Sequence, residues 1–178
     1  MPRHIVLVGL PGSGKSTVGK MVAEGLSTFV IDIDALLVRE MGMPIIQIFG
    51  MVGEPRFREM EREAVKAALA RDPCVIVPGG GWAAQPGQLD AVKATSLVIY
   101  LRCQAPTAAK RREQGEAHPL LTGADPVQRM RTLAQEREPF YLHAHQQVNT
   151  ESTPAEAVAA EVMALARQHG GWFARSAP

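Results

Sequence analysis

Residues 9–17 read GLPGSGKST, between the apolar run HIVLVG at 4–9 and a helical pattern over 15–26. Gly9, Gly14, Lys15 and Ser16 have the G-x4-G-K-S spacing of a phosphate-binding loop, which needs a strand before it and a helix after it. A chance glycine-rich turn is the alternative, and the motif and its context together disfavour it. The stretch therefore predicts a nucleoside triphosphate site between the first strand and the first helix.

This loop offers three kinds of phosphate ligand. Its glycines let backbone N–H groups point into one concavity, and the helix N-terminus adds its dipole. Lys15 is placed to reach the β- and γ-phosphates, which makes it a catalytic candidate, and the Ser16 hydroxyl is placed for Mg²⁺. The loop residues assigned to ATP are Gly12, Ser13, Gly14, Lys15, Ser16 and Thr17.

Short apolar runs alternate with helical patterns along the chain. The runs are rich in Val and Ile and predict buried parallel strands without in/out alternation, at 4–9, 28–32, 74–78, 96–101 and, more weakly, 146–150. Helical patterns cover 15–26, 56–69 and 154–167, the last with Pro154 in its first turn. The alternation predicts an α/β domain with helices on both faces of the sheet.

The composition excludes several classes of protein. A length of 178 residues indicates a single domain over 1–178, and a net charge of +1 provides no bulk field for nucleic acid or membranes. We find neither a secretory signal pattern nor an apolar stretch of membrane-spanning length. Cys74 and Cys103 each lie beside an apolar run, which indicates reduced, packed thiols. We therefore expect a cytoplasmic protein that binds neither nucleic acid nor membranes.

Two acids end the second apolar run, in FVIDID at 29–34. Asp32 and Asp34 are two residues apart at the end of a strand, so we expect them to face the same side. That end of an open α/β sheet borders the crevice where ligands bind. One acid is then available for a metal and the other for a second substrate. The alternative is that Asp34 caps the helix that follows.

Three further segments carry candidate residues. Residues 75–82 read VIVPGGGW, and Gly79–Gly81 either form a turn after a strand or allow something to approach the backbone closely. Arg58 and Glu61 are three residues apart on one helical face, where a solvent-exposed ion pair is the simplest interpretation. Arg137 and Tyr141 lie near the end of another helical run, and arginine is suited to grip a carboxylate through two hydrogen bonds.

Together these segments resemble the shikimate kinase family along nearly the whole chain. The matching segments are GLPGSGKSTVGK, DID, IIQIFGMVGEPRFREMERE, PGGGW, HPLLTGADP and EREPFY. Many kinases share the phosphate-binding loop, whereas the ordered set is far more specific. The resemblance implies a three-layer P-loop kinase fold, with a five-stranded parallel sheet flanked by helices and a mobile lid at about 112–126. It also implies Mg²⁺- and ATP-dependent phosphorylation of the 3-hydroxyl of shikimate, in the route to chorismate and aromatic amino acids.

The resemblance also assigns acceptor-binding roles, in a region at about 33–61 and beyond it. Asp34 would hydrogen-bond the shikimate hydroxyls and is the candidate base. Arg58 and Arg137 would clamp the carboxylate. Gly79, Gly80 and Gly81 would pass beside the ring, in space that a side chain would otherwise fill, with the Gly80 N–H as the main contact.

On the nucleotide side, the resemblance implies that Ser16 and Asp32 hold Mg²⁺, Asp32 directly or through water. Arg111 would stack on adenine, with Pro154 near the other face of the base. The spacing in KRREQGEAH also allows Arg112 to take the place of Arg111.

The chain departs from the family in the lid. The family has an arginine immediately before P-L-L that reaches the phosphates, and this chain has His118. We expect His118 to meet the phosphates as a partly protonated imidazole, which would leave the enzyme active but slow at neutral pH. The alternative is that His118 only packs against the loop, and that Lys110, Arg111 or Arg112 makes the phosphate contact.

Two other functions stay open at this point. One is a ligand-binding module of the same fold with little or no turnover, against which the intact phosphate-binding loop and both acids argue. The other is a kinase for a different small hydroxy acid, because two arginines favour an acid without identifying its ring. We expect a monomer in either case.

Overall fold

The computed structural model describes residues 1–115, 118–123 and 125–173. Within the lid expected at about 112–126, Glu116, Ala117 and Ala124 lie outside the described residues. The mobility of the lid stays a prediction. Among the described residues, no single helix is long and apolar enough to cross a bilayer; one pair, Ile33–Met41 and Ile45–Val52, passes that test only when its 73° bend is ignored.

Five parallel strands form one sheet in the order β2-β3-β1-β4-β5. They are β1 (His4–Val8), β2 (Val30–Asp32), β3 (Val75–Val77), β4 (Ser96–Arg102) and β5 (Gln146–Asn149), close to the five predicted runs. The central strand β1 pairs with β3 on one side and with β4 on the other. The chain passes from β1 to one edge of the sheet, and from β3 it crosses to the other side. The carboxyl end of β1 therefore lies where open α/β sheets bind ligands.

Helices cover both faces of the sheet, so the predicted three-layer α/β architecture is confirmed. They are α1 (Lys15–Gly25), α2 (Ile33–Met41), α3 (Ile45–Val52), α4 (Glu54–Leu69), α5 (Gly80–Ala83), α6 (Gln88–Lys93), α7 (Ala105–Glu113), α8 (Pro126–Tyr141) and α9 (Ala155–His169). A 3₁₀ turn at Pro119–Leu121 precedes α8. Sequence patterns predicted α1, α4, α9 and parts of α2 and α8, but not α3, α5, α6 or α7.

Two hydrophobic cores enclose the sheet, one on each face. Alternate residues of β1 face opposite sides: Ile5 and Leu7 pack with α1 and α9, whereas Val6 and Val8 pack with the helices of the other layer. Both side-chain sets of β1 are buried. This explains why the strand reads as a continuous apolar run.

The expectation of buried strands is wrong for the two edges of the sheet. All three residues of β2 are only half-buried, and in β5 only Val148 is buried. An edge strand has a neighbour on one side only, so its side chains are more exposed than those of the central strands β1, β3 and β4.

Two helix starts differ from the predictions in a way that matters for the site. α2 begins at Ile33, and the residue that caps it is Asp32, whose carboxylate accepts a hydrogen bond from the Ala35 N–H at 3.2 Å. Asp34 therefore lies in the first turn and is not the cap. α9 begins at Ala155, so Pro154 is the capping residue and not part of the first turn.

Position 12 has no room for a side chain and has a backbone conformation that favours glycine, and this gives a first prediction. It has φ +81°, and a Cβ there would collide with the backbone carbonyl of Ala108. Gly12→Ala should lower the free energy of unfolding by more than about 1 kcal/mol. Gly50, on the exposed face of α3 with nothing within 4 Å of its Cβ position, is the matched control. Gly50→Ala should raise stability by about 0.5–1 kcal/mol. Urea unfolding of both variants checks this, and equal effects would contradict it.

Candidate active site

A cavity of about 430 Å³ opens at the carboxyl ends of the central strands. It is bordered by the phosphate-binding loop, by both acids after β2, by the glycine segment after β3, and by residues from α7, the 3₁₀ turn and the start of α9. The lining residues used below are Gly12, Ser13, Gly14, Lys15, Ser16, Thr17, Asp32, Asp34, Gly79, Gly80, Arg111, Arg112, His118 and Thr150.

The phosphate-binding loop has the predicted shape. Gly12 and Gly14 have φ of +81° and +94°, which only glycine adopts readily, and α1 begins directly after them at Lys15. The Lys15 ammonium donates to the carbonyls of Gly9 and Leu10 at 2.8 Å each. Burial lowers the pKa of Lys15 to about 8, so the group still carries its charge at neutral pH. A buried ammonium held only by backbone carbonyls is well suited to receive phosphate.

Ser16 and Asp32 come together at the mouth of the cavity. The Ser16 hydroxyl donates to Oδ2 of Asp32, while Oδ1 of Asp32 caps α2. A hydroxyl and a carboxylate in contact are the hard oxygen donors that Mg²⁺ takes from proteins beside phosphates and water. The donor set therefore fits Mg²⁺.

Asp34 faces the same cavity from the first turn of α2. Burial raises its pKa, as does the neighbouring charge of Asp32, while the charges of Lys15, Arg112 and Arg58 act in the opposite direction. The carboxylate is thus surrounded by cations and is more basic than an ordinary aspartate. Such a group can orient a hydroxyl and accept its proton.

Beside the main cavity lies a smaller one of about 20 Å³. Its lining combines apolar side chains of α3 and α4 with charged side chains from three elements. These residues are Asp34, Ile45, Phe49, Phe57, Arg58, Glu61, Gly79, Gly80, Gly81, His118, Pro119, Leu120 and Arg137. Because Asp34, Gly79, Gly80 and His118 line both cavities, the two spaces adjoin.

Arg58 and Glu61 are not the exposed ion pair that helical spacing suggested. Glu61 is 1% exposed and Arg58 14% exposed, and Nη1 of Arg58 donates to Oε2 of Glu61 at 2.6 Å. A second acid, Glu54, accepts from Nη2 of Arg58 at 3.3 Å. Sequence analysis noted Glu61 only as a partner for Arg58 and missed its burial, since two charges on a helix face usually lie in solvent. Burial raises the pKa of Glu61 to about 7, although Arg58 opposes this shift.

Arg137 approaches the small cavity from α8. It is 5% exposed, and its Nη1 is buried without a hydrogen-bond partner among the described residues. A buried guanidinium N–H without an acceptor is costly, and an anionic ligand would remove that cost. Four residues further along α8, the Tyr141 hydroxyl donates to the carbonyl of Gly80 at 2.8 Å and fixes the glycine segment.

The three glycines after β3 are needed for close approach, not for turn geometry, since none of them has a positive φ. The groups that a Cβ would meet in the unliganded protein are protein side chains, and the approach of an acceptor ring to these glycines stays a prediction. A Cβ on Gly79 would collide with Glu61, and one on Gly81 would collide with the Arg58 guanidinium. A Cβ on Gly80 would lie 3.0 Å from Nη1 of Arg137. The glycines leave room for the charged groups that face the small cavity.

Arg111 and Arg112 both line the main cavity but point to different parts of it. Arg111 donates to the carbonyl of Thr150 at 2.7 Å, which places it on the side of β5 and α9. Arg112 lines the main cavity, and its charge acts to lower the pKa of both Asp34 and His118, which line this cavity and the small one. Pro154 is exposed and does not line the cavity, whereas its neighbours Thr153 and Ala155 do.

His118 caps the 3₁₀ turn, because its Nδ1 accepts a hydrogen bond from the Leu120 N–H at 3.2 Å. Burial lowers the pKa of His118 to about 3, and the charges of Arg112, Arg137, Lys15 and Arg58 lower it further. The imidazole is therefore neutral in the unliganded protein. A neutral His118 favours the alternative in which Lys110, Arg111 or Arg112 makes the contact with the phosphates.

Comparison with known proteins agrees with the geometry. The model of the shikimate kinase family matches residues 11–167. The chain belongs to this family. It is 40% identical over 170 residues to a shikimate kinase of Symbiobacterium thermophilum, covering 94% of this chain and 98% of the relative. It is 41% identical over 144 residues to a shikimate kinase of Mycobacterium avium, covering 81% of each chain.

Solved structures of shikimate kinases have the same fold. The enzyme of Acinetobacter baumannii in complex with shikimate superposes with a TM-score of 0.87 at 31% identity, covering 94% of both chains. The enzyme of Aquifex aeolicus gives a TM-score of 0.80 at 29% identity, covering 94% of this chain and 98% of that one. A gluconokinase of Sinorhizobium meliloti, at 20% identity and a TM-score of 0.67 over 96% of this chain and 94% of its own, shares the fold.

The raised pKa of Glu61 predicts a pH-dependent stability in this shikimate kinase family member. The folded pKa of about 7 exceeds the ordinary value of 4.5, so the folded state holds this proton more tightly than the unfolded state. The stabilisation by protonated Glu61 is complete below pH 4.5 and is lost as the pH rises through about 7.

Glu61→Gln stays neutral at every pH. As the pH rises from 5 to 8, the difference in free energy of unfolding between the variant and the wild type should therefore shift in favour of the variant. Urea unfolding at both pH values measures this difference. Glu59→Gln is the matched control, because Glu59 lies on the same helix in an exposed pair with Arg56. A difference for Glu61→Gln that is constant with pH would show that Glu61 does not titrate in this range.

Proposed function

We propose that the protein transfers the γ-phosphoryl group of ATP to the 3-hydroxyl of shikimate, giving shikimate 3-phosphate and ADP in the route to chorismate and aromatic amino acids. The observation that carries this proposal is Arg137, which lines a cavity beside the nucleotide site and whose buried Nη1 has no partner within residues 1–115, 118–123 and 125–173. Membership of the shikimate kinase family supports it. The chain covers nearly the full length of the first relative named above.

The nucleotide side of the reaction uses the main cavity. Backbone N–H groups of residues 12–17 and the Lys15 ammonium would receive the phosphates. Ser16 and Asp32 would hold Mg²⁺, which neutralises phosphate charge when bound. Arg111, held by Thr150, would lie against adenine on the side of α9. Pro154 would contribute only through the position of its neighbours.

The acceptor side uses the small cavity. Arg137 and Arg58 would bind the carboxylate, and Arg58 is already oriented for this by Glu61. Gly79, Gly80 and Gly81 would border the ring, together with the apolar side chains of α3 and α4. These contacts would present one hydroxyl to the phosphate-binding loop, and positioning of this kind is the main requirement of phosphoryl transfer.

Asp34 lies where the two cavities adjoin and would complete the site. It would hydrogen-bond the reacting hydroxyl and take its proton as the O–P bond forms and the bond to ADP breaks. The raised pKa of Asp34 suits this task, because a more basic carboxylate accepts a proton more readily. Lys15, Arg112 and Arg58 act against the effect of burial and favour the ionised form of this carboxylate.

A monomeric, cytoplasmic protein is part of the same proposal. Every group in the proposed mechanism comes from one chain, so the site does not require a second copy. Cys74 and Cys103 are free and buried, as expected for reduced thiols.

A coupled assay of ADP release tests the function. Shikimate should support turnover, while quinate and gluconate should be poor acceptors. Lys15→Ala should abolish transfer and leave the circular dichroism spectrum unchanged, because only the phosphate cradle is affected. Faster turnover with gluconate would identify a kinase for another hydroxy acid. ATP binding without turnover on any of the three acids would identify a binding module.

The carboxylate clamp gives a separate prediction. Arg137→Ala should raise the KM for shikimate about ten- to a hundredfold, since a charge-assisted hydrogen bond is worth about 1.5–3 kcal/mol. The KM for ATP should change little. Arg58→Ala is a less clean test, because it also leaves the buried Glu61 without its partner.

Arg131→Ala is the matched control for Arg137→Ala, since Arg131 lies exposed on the same helix and lines neither of the two cavities. Its KM for shikimate should stay near that of the wild type. A rise in the KM for ATP with an unchanged KM for shikimate in Arg137→Ala would disprove the clamp.

A further inference from the structure

We propose, building on the function proposed above, that Arg112 brings the positive charge that meets the transferred phosphoryl group in this chain. His118 is a positioning residue that holds the 3₁₀ turn as a neutral cap. The two tasks of charge and lid geometry are therefore divided between two side chains.

The last turn of α7 carries three consecutive basic residues that have different surroundings. Lys110 is exposed and does not line the cavity. Arg111 is held by two hydrogen bonds to Thr150. Arg112 lines the cavity, and its Nε is buried without a hydrogen-bond partner among the described residues. Arg112 thus combines a position on the wall of the nucleotide cavity with a buried donor that has no partner in the described part of the chain.

Arg112 also acts at the junction of the two cavities. Of the four cations that lower the pKa of His118, Arg112 has the strongest effect, ahead of Arg137, Lys15 and Arg58. His118 lines both the nucleotide cavity and the small acceptor cavity. Arg112 and His118 therefore share the nucleotide cavity, and the Arg112 charge acts on a side chain that lies where the two cavities adjoin.

The contact made by His118 excludes it from the same role. Its Nδ1 accepts a hydrogen bond from the Leu120 N–H, which requires a lone pair on that nitrogen. An imidazolium has a proton there, so a charged His118 would lose the cap. Leu120 lines the acceptor cavity, and the cap therefore holds one wall of the acceptor site.

Variants of α7 test the charge. Arg112→Ala should lower kcat by about 10- to 10³-fold, less than the full effect of an arginine finger because Lys15 and Mg²⁺ remain. Arg112→Lys should restore part of the loss, because it returns the charge without the guanidinium geometry. Lys110→Ala removes the same charge from the same turn and should leave kcat near the wild-type value. If Lys110→Ala lowered kcat as much as Arg112→Ala does, the total positive charge of α7 would be responsible and not the position of Arg112. That result would overturn the proposal.

Calorimetric titration of ATP and ADP, with Mg²⁺ and without acceptor, gives a readout that a purely structural role would not change. Arg112→Ala should lower the affinity for ATP relative to ADP by about tenfold, the loss expected for one charge-assisted hydrogen bond to the γ-phosphate. Arg112→Gln, which keeps most of the side-chain length, replaces Arg112→Ala if the latter fails to fold. An unchanged ratio together with an unchanged kcat would overturn the proposal.

The two variants of His118 separate a cap from a cation. Asparagine is a favourable capping residue and cannot be charged, so His118→Asn should avoid most of the rise in the KM for shikimate that His118→Ala causes. His118→Ala loses the cap and should raise the KM for shikimate with little change in kcat. An equal loss of kcat in both variants would show that the imidazole acts on the phosphates, as a cation, and would overturn the division of tasks.

The outcomes also distinguish this proposal from the proposed function. If the wild type binds ATP but phosphorylates none of the three acids, the function is wrong, while the ratio of ATP to ADP affinities still tests Arg112. If shikimate is phosphorylated and Arg112→Ala behaves as the wild type, the function stands and the assignment of Arg112 is wrong.

Discussion

The buried ion pair between Arg58 and Glu61 is the constraint on which the acceptor side of the molecule depends. A carboxylate that is 1% exposed has lost its hydration, and Arg58 at 2.6 Å compensates for part of that loss. The pair in turn requires Gly79 and Gly81, whose Cβ atoms would occupy the space of its charged groups. One helix, one ion pair and one glycine segment therefore form a single unit in which no part can change alone.

This unit places Arg58 without any ligand present. Preorganisation of this kind reduces the entropy lost when a small, strongly hydrated acid binds. Arg137 complements it differently, since its Nη1 is buried without a partner in the described part of the chain. The two arginines therefore have different roles before a ligand binds. Arg58 is held in place by Glu61, whereas Arg137 has a donor that is unpaired among the described residues and that an incoming anion could accept from.

The cations around the two cavities affect the pKa values of the titratable groups between them. The whole chain has a net charge of only +1, yet Lys15, Arg58, Arg112 and Arg137 all act on His118. These cations disfavour a charged imidazole, and three of them, Lys15, Arg112 and Arg58, act against the effect of burial on the pKa of Asp34. Burial strengthens interactions between charges, so these four side chains affect His118 more than the net charge of the chain does.

The sequence by itself determined the fold class, the phosphate-binding loop, the strand positions and the family. These follow from local patterns: apolar runs buried on both faces, a glycine-rich loop of fixed spacing, and an ordered set of motifs. Tertiary structure alone decided that Asp32 caps α2, that Glu61 is buried, that Arg111 and Arg112 point apart, and that His118 is a neutral cap. Each of these features depends on which side chains from distant segments come into contact and on how far they are buried there. The spacing of residues along the chain determines neither the contacts nor the burial.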